Sequence, residues 1–184
     1  MTRKNKKLLL FAGLPGTGKS YCASILNNKL KSYYFDSDKF AKDVSMKNFD
    51  FKKASDSELL DWRIESQKNK IKIIKELFKE HDIIIIDTCL DLIESRKLYF
   101  ELDEICEVIV IEVRCDEEIV KTRIFEKEHD EDRQVGTPQS RFEIYKKMKQ
   151  DWKDIEWKNH FVVNSEDGVE EQINKFINNY KLNY

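Results

Sequence analysis

Proline and glycine are scarce, two and five in 184 residues, and the chain contains no internal repeat, linker or low-complexity tract. One compact domain is the expectation, and the length is enough to bury a sizeable core. The four cysteines, Cys22, Cys89, Cys106 and Cys115, form no Cys-x-x-Cys pair, and His81, His129 and His160 stand at no metal-ligand spacing from them. That leaves no signature of a zinc site or a disulfide framework, so reduced and mostly buried thiols are expected. Long apolar runs are missing too. The basic start Arg3, Lys4, Lys6, Lys7 leads only into Leu8 to Ala12, too short for a signal or membrane segment, and a cytoplasmic protein is expected. Neither sign of charge dominates: 33 Lys and Arg against 35 Asp and Glu give a net charge of -2. This is a solvated surface, and it argues against a large nucleic-acid footprint.

Three of the five glycines fall in one stretch, Gly13-Leu14-Pro15-Gly16-Thr17-Gly18-Lys19-Ser20, directly after the apolar run. The stretch satisfies Gly-x-x-x-x-Gly-Lys-Ser/Thr with a strand before it and a helix after it, the context a phosphate-binding loop requires. Glycines let the backbone point successive N–H groups into one concavity, and the following helix adds its positive end. Lys19 supplies a point charge for the β- and γ-phosphates, and the Ser20 hydroxyl is a magnesium ligand. Gly13, Pro15, Gly16, Thr17, Gly18, Lys19, Ser20 and Tyr21 are therefore the expected nucleotide contacts. No Asn-Lys-x-Asp occurs in the chain, which argues against guanine specificity.

Strands alternate with helices along the rest of the chain. Strands are expected at Lys6 to Ala12, Ser32 to Asp36, Asp82 to Asp87, Glu107 to Val113 and His160 to Asn164, the third and fourth carrying β-branched runs. Helices are expected at Lys19 to Leu30, Asp56 to Glu80, Asp91 to Asp103, Asp116 to Lys127, Gln139 to Trp152 and Gly168 to Tyr180. In the long one, Asp56 is the expected N-cap, Leu60, Ile64, Ile71, Ile74 and Phe78 form the apolar stripe, and Gln67 is its one polar interruption. Lys39 to Ser55 reads as a short helix and an irregular segment, and His129 to Pro138 as a mobile loop. The alternation predicts an α/β phosphate-loop NTPase fold: five parallel strands, helices on both faces and a small lid at about 123–138.

Three carboxylates end strands where open α/β sheets bind ligands. Asp87 closes an apolar strand and is the expected second magnesium group. Thr88 follows it where hydrolytic motors carry a glutamate, which speaks against a hydrolytic engine and puts Thr88 toward the substrate. Asp38, just past the second strand, is placed to take the proton of an acceptor hydroxyl. Asp36 either orients the acceptor or caps the short helix beginning near Lys39. Arg123 is expected on the lid, facing the transferred phosphoryl group, or else on a solvated face paired with Glu117, Glu118 or Glu126. Lys127 and Arg133 are alternatives for the second lid cation.

The segments GLPGTGKS, FDSDKF, IIIIDTCL, RCDEEIVKTRIFEK and PQSRFEIYKKMKQDW together resemble the small P-loop kinases that include polynucleotide 5′-hydroxyl kinase, with zeta-toxin and chloramphenicol phosphotransferase as more distant relatives. The resemblance implies Asp38 as general base, Lys19 and Ser20 on phosphate and magnesium, and Asp87-Thr88 as the family's Asp-Thr pair. Where polynucleotide kinase has an arginine to hold the substrate's phosphate, this chain reads Phe40-Ala41-Lys42, so Lys42 is the expected substrate cation. Lys127 likewise stands in place of a second lid arginine and offers no planar bidentate contact. The expected activity is transfer of the γ-phosphoryl group of ATP, with Mg²⁺, to a hydroxyl on a small molecule or a polynucleotide. A nucleoside or nucleotide kinase and an ATP-dependent switch protein are the alternatives.

Overall fold

The computed structural model describes residues 6–41, 49, 53–126 and 137–182. Its frame is a five-stranded parallel sheet of β1 (Lys7–Ala12), β2 (Tyr33–Phe35), β3 (Ile83–Asp87), β4 (Glu107–Arg114) and β5 (His160–Asn164), in the order β2-β3-β1-β4-β5. The central strand, β1, is apolar on both faces because both are covered. Its register sets Leu9 beside Ile85 on one neighbour and Ile109 on the other. After β1 the chain builds β2 and β3 on one side and then β4 and β5 on the other. The reversal leaves a crevice beyond the carboxyl end of β1, where ligands of such sheets bind.

The strands' alternation sorts the core into two layers. Leu8, Leu10, Ile84, Ile86, Val108 and Val110 face α3 (Asp56–Leu77) and α4 (Ile93–Phe100). Leu9, Phe11, Ile85, Ile109 and Ile111 face α1 (Lys19–Lys29) and α7 (Val169–Asn179). Each fully buried Leu, Ile or Val contributes about 1.5–3 kcal/mol over its exposed state. A third, smaller cluster, Val120, Ile124, Phe142 and Tyr145, joins α5 (Glu117–Glu126) to α6 (Pro138–Asp151) and packs against Leu14 of the glycine-rich loop. No helix among the described residues is long and apolar enough to cross a membrane. All four cysteines are free, Cys22 and Cys106 buried and the other two half-buried.

Several expected boundaries move. The long helix is capped by Ser55, not Asp56: Glu58 N–H donates to Ser55 Oγ and Ser55 N–H to Glu58 Oε2, a reciprocal box that leaves Asp56 in the first turn. It ends at Leu77, and Leu60 of the expected stripe is 45% exposed. Gln67 is not the helix's one inward polar residue, since Ser66 and Lys70 are buried as well. The Asp91 to Asp103 helix starts at Ile93 and tightens into a 3₁₀ turn over Glu101–Glu104. A four-residue helix, α2 (Ser37–Phe40), follows β2 and begins two residues earlier than expected.

Candidate active site

The glycine-rich loop lies at the carboxyl end of β1 and opens onto a cavity of about 760 Å³. Gly13 could be no other residue without movement: at φ 146° an added Cβ would stand 2.5 Å from the Val113 carbonyl oxygen. Gly18 begins α1 in the left-handed region at φ 92°, with no side-chain cap and no acid in the first turn. By contrast, α2, α3 and α6 are each capped by a side chain, Asp36, Ser55 and Thr137. The uncapped N–H groups and dipole of α1 are thus left for an anion. Lys19 Nζ and Thr17 Oγ1 both donate to the Leu14 carbonyl at 2.9 Å, which folds the loop on itself.

Ser20 Oγ donates to Asp87 Oδ2 at 2.6 Å, and the Tyr34 hydroxyl donates to Asp87 Oδ1 at 2.9 Å. The carboxylate is thereby fixed from α1 and from β2 at once. Burial and the Asp87 charge push the Tyr34 hydroxyl pKa up, so Tyr34 stays a donor. A hydroxyl and a carboxylate are the hard oxygen ligands that magnesium takes when nucleotide phosphates and water complete its shell, so this pair fits that ion. Among the described residues no cluster of three or more His, Cys, Asp or Glu forms a protein-only cage.

Asp38 opens onto the same cavity from α2. Burial, then the charges of Asp87 and Asp36, raise its carboxyl above the ordinary range, while Lys19 and Lys70 pull it back. Lys70 reaches in from α3 and is only 6% exposed. Burial lowers its ammonium pKa, against the pull of Cys89, Asp38 and Asp87. On α3, Arg63, Ser66, Gln67 and Lys70 all line the cavity. Their spacing of i, i+3, i+4 and i+7 is one helical face. Arg63 is held by both oxygens of Asp91, and Gln67 Oε1 accepts from the buried Tyr99 hydroxyl at 2.9 Å. Trp62 stacks on Phe49 beside them, with ring centroids 5.5 Å apart.

Arg123 lines the cavity but is anchored. Its Nη1 donates to Ser165 Oγ and its Nη2 to the Ser165 carbonyl, both at 2.8 Å, and Nη1 also reaches the Thr17 carbonyl at 3.4 Å. It ties the turn after β5 to the glycine-rich loop. None of Glu117, Glu118 and Glu126 is among its hydrogen-bond partners.

Pro15, Gly16, Gly18, Lys19, Ser20, Tyr21, Asp38, Asp87 and Thr88 meet at one cavity, whereas Gly13 and Thr17 lie beneath it as support. Asp36 is turned to capping α2, its Oδ1 accepting from the Asp38 and Lys39 N–H groups at 3.1 and 2.9 Å. Lys42, Lys127, Arg133 and most of the expected lid lie outside the described residues. The residues not foreseen are Tyr34, Arg63, Lys70 and Arg141, the last on α6 at the cavity wall. The polar face of α3 was present as a helical period running through the apolar stripe.

A family model described as AAA domain (AAA_18) matches residues 9–146. Comparison with curated protein sequences finds no match. Among solved structures, the fold is similar to that of the Mycobacterium tuberculosis APS kinase in complex with AMPPNP and APS, at 16% identity over 96% of this chain and 98% of that one, with a TM-score of 0.66. A sugar kinase from Janibacter sp. HTCC2649 superposes with a TM-score of 0.62 at 14% identity, over 97% of this chain and 95% of its own. A gluconokinase from Sinorhizobium meliloti 1021 gives 0.60 at 11% identity, over 98% of each chain. At these identities the likeness is one of fold.

Proposed function

The chain belongs to the AAA-domain family, and on that footing we propose that it is an ATP-dependent phosphotransferase acting on a hydroxyl group. The observation that carries the reading is one cavity lined by a phosphate loop with its lysine, the Ser20–Asp87 pair and Asp38, a carboxylate that makes no hydrogen bond to any described residue. The loop N–H groups and Lys19 bind and orient the β- and γ-phosphates. Ser20 and Asp87 would hold magnesium, which when bound neutralises phosphate charge. Asp38 accepts the proton of the acceptor hydroxyl as the phosphoryl group leaves ADP, and its raised pKa makes it a better base than an ordinary aspartate. Thr88, buried at the end of β3, offers no carboxylate with which to activate water.

The acceptor we infer is a small molecule. The cavity is walled by α3 and α6 and has the size of a small-ligand site, and the fold is shared with proteins named as sugar, gluconate and APS kinases. A polynucleotide 5′-hydroxyl and a nucleoside are the competing acceptors, and an ATP-driven switch is the competing class.

The test follows labelled γ-phosphate from ATP–Mg²⁺ into free phosphate and into a panel of sugars, sugar acids, nucleosides and 5′-hydroxyl oligonucleotides. Transfer to a small hydroxyl compound is expected, and Asp38→Asn should cut it by about two to four orders of magnitude while slow hydrolysis persists. Equal loss of both signals would assign Asp38 to water or metal. Hydrolysis with no transfer to any acceptor would favour the switch.

A further inference from the structure

Among the groups in the cavity, Lys70 has no task in the reaction proposed above. The residue is only 6% exposed and its ammonium carries three donors, yet the ammonium makes no hydrogen bond to any described residue. Asp38 and Asp87 act on it through their charges alone. A lysine kept only to balance those carboxylates would bond one of them, because a charge-assisted hydrogen bond lowers the penalty of burying the charge. The second misfit is Arg141, on α6 at the cavity wall. Its Nη2 reaches the Ile124 carbonyl at 3.3 Å, but its Nε is buried with no hydrogen-bond partner among the described residues. The other cations at the cavity are engaged: Arg63 with Asp91, Arg123 with Ser165, Lys19 with the loop that takes the nucleotide.

We infer that Lys70 and Arg141 form a seat for an oxyanion on the acceptor, so that the substrate is a small hydroxyl compound bearing a phosphate, sulfate or carboxylate group. The inference rests on the kinase reading, and it sharpens that reading from a hydroxyl compound to an anionic one. Lys70 is close enough to Asp38 to change its titration. An anion seated there would hold the acceptor's hydroxyl beside the base, which is how a remote binding contact serves the reacting centre. Arg63, Ser66 and Gln67 on the same helical face, with Trp62 beside them, line the same cavity and offer a wall for the rest of the molecule.

The test first saturates the protein with ADP–Mg²⁺, which fills the phosphate loop, then titrates sulfate and inorganic phosphate by calorimetry. The wild type should bind one oxyanion, Lys70→Met should weaken that binding at least tenfold, Arg141→Gln should weaken it severalfold, and ADP affinity should hold in both. Lys70→Arg, which keeps the charge, should retain binding. Unchanged oxyanion affinity in Lys70→Met overturns the proposal, and so does a matching loss of ADP affinity, which would give Lys70 to the nucleotide. In the second arm, ADP release is compared for glucose, glucose 6-phosphate and gluconate, and for adenosine and AMP. Faster turnover of the charged member of a pair supports the seat; a preference for the uncharged members removes it while leaving the kinase reading standing. Failure of the wild type to bind ADP would remove both.

Discussion

Two buried charges near the carboxyl edge of the sheet, Glu112 on β4 and Lys70 on α3, are almost equally hidden, at 3% and 6% exposure. Their surroundings differ. Glu112 accepts two bonds from Arg114, both at 3.0 Å, and its Oε2 lies 2.9 Å from His160 Nε2. Burial alone would raise its carboxyl pKa, but the contacts from His160 and Arg114 outweigh that and hold it at about 2. At Lys70 burial is the largest influence and no described residue bonds the ammonium. A charge that serves the fold is closed by its partners, whereas a charge left open keeps the full cost of desolvation and is kept for a ligand. The same division separates Asp36, which caps α2 by accepting from the Asp38 and Lys39 N–H groups, from Asp38, whose carboxylate makes no hydrogen bond to any described residue.

Among the groups of the cavity, the largest effect on turnover should come from the loop lysine, whose contact stays within the glycine-rich loop, with little effect on stability. Lys19→Ala is expected to lower the transfer rate by about two to three orders of magnitude, the scale for removing one preorganised charge donor. Its one hydrogen bond among the described residues is to the Leu14 carbonyl, so the melting temperature should hardly move. Calorimetry and ADP release on the same sample decide this, and a variant that melts early instead would make Lys19 a structural residue.

Glu112→Gln should do the opposite. The folded carboxyl titrates at about 2 against an ordinary 4.5, so its stabilisation is complete above pH 4.5 and is lost as pH falls toward 2. A depression of that size is worth at most about 3 kcal/mol at neutral pH. The variant should melt about 6–12 °C lower at pH 7. The deficit should shrink on acidification, because the wild type then loses the same contribution. Denaturant unfolding at pH 7 and pH 3 measures both, with ADP affinity unchanged. A deficit independent of pH would mean that the glutamine fails to fit and that the charge is not what stabilises the site.

The phosphate-loop half of the cavity was legible in the sequence because it is contiguous. Gly13 to Ser20 carries its own backbone geometry, and Asp87 closes the apolar run Ile83 to Ile86. The opposite wall is assembled from α2, α3 and α6, with Asp38, Lys70 and Arg141 spread over more than a hundred residues, so no local pattern announces it. Lys70 is hidden further by its helix: one turn among Ile71, Ile74 and other lysines reads as a solvated edge until packing shows which lysines point inward. Arg123 was legible as a cation beside the phosphate site, but not its anchorage to Ser165, a residue 42 positions away. Asp36 and Asp38 were indistinguishable by type and differ only in which helix N–H groups lie within reach.

That pair gives the smallest effect and the finest test of the division. Asp36 is closed, its Oδ1 accepting from two N–H groups at the start of α2. Asparagine caps a helix about as well as aspartate, so Asp36→Asn should change stability by no more than about 0.5 kcal/mol. Turnover at neutral pH should stay close to wild type, in contrast to the loss in Asp38→Asn two residues away. One trace of the missing charge should remain. Asp36 is among the groups that raise the Asp38 carboxyl pKa, so its removal lowers that pKa. With Asp38 as the proposed base, which must be ionised to accept a proton, the acid limb of the kcat/KM profile should then move to lower pH. The pH–rate profiles of wild type and variant measure the shift. A fall in turnover as deep as that of Asp38→Asn would instead bring Asp36 into contact with the acceptor, and the separation of closed from open carboxylates would fail at the site itself.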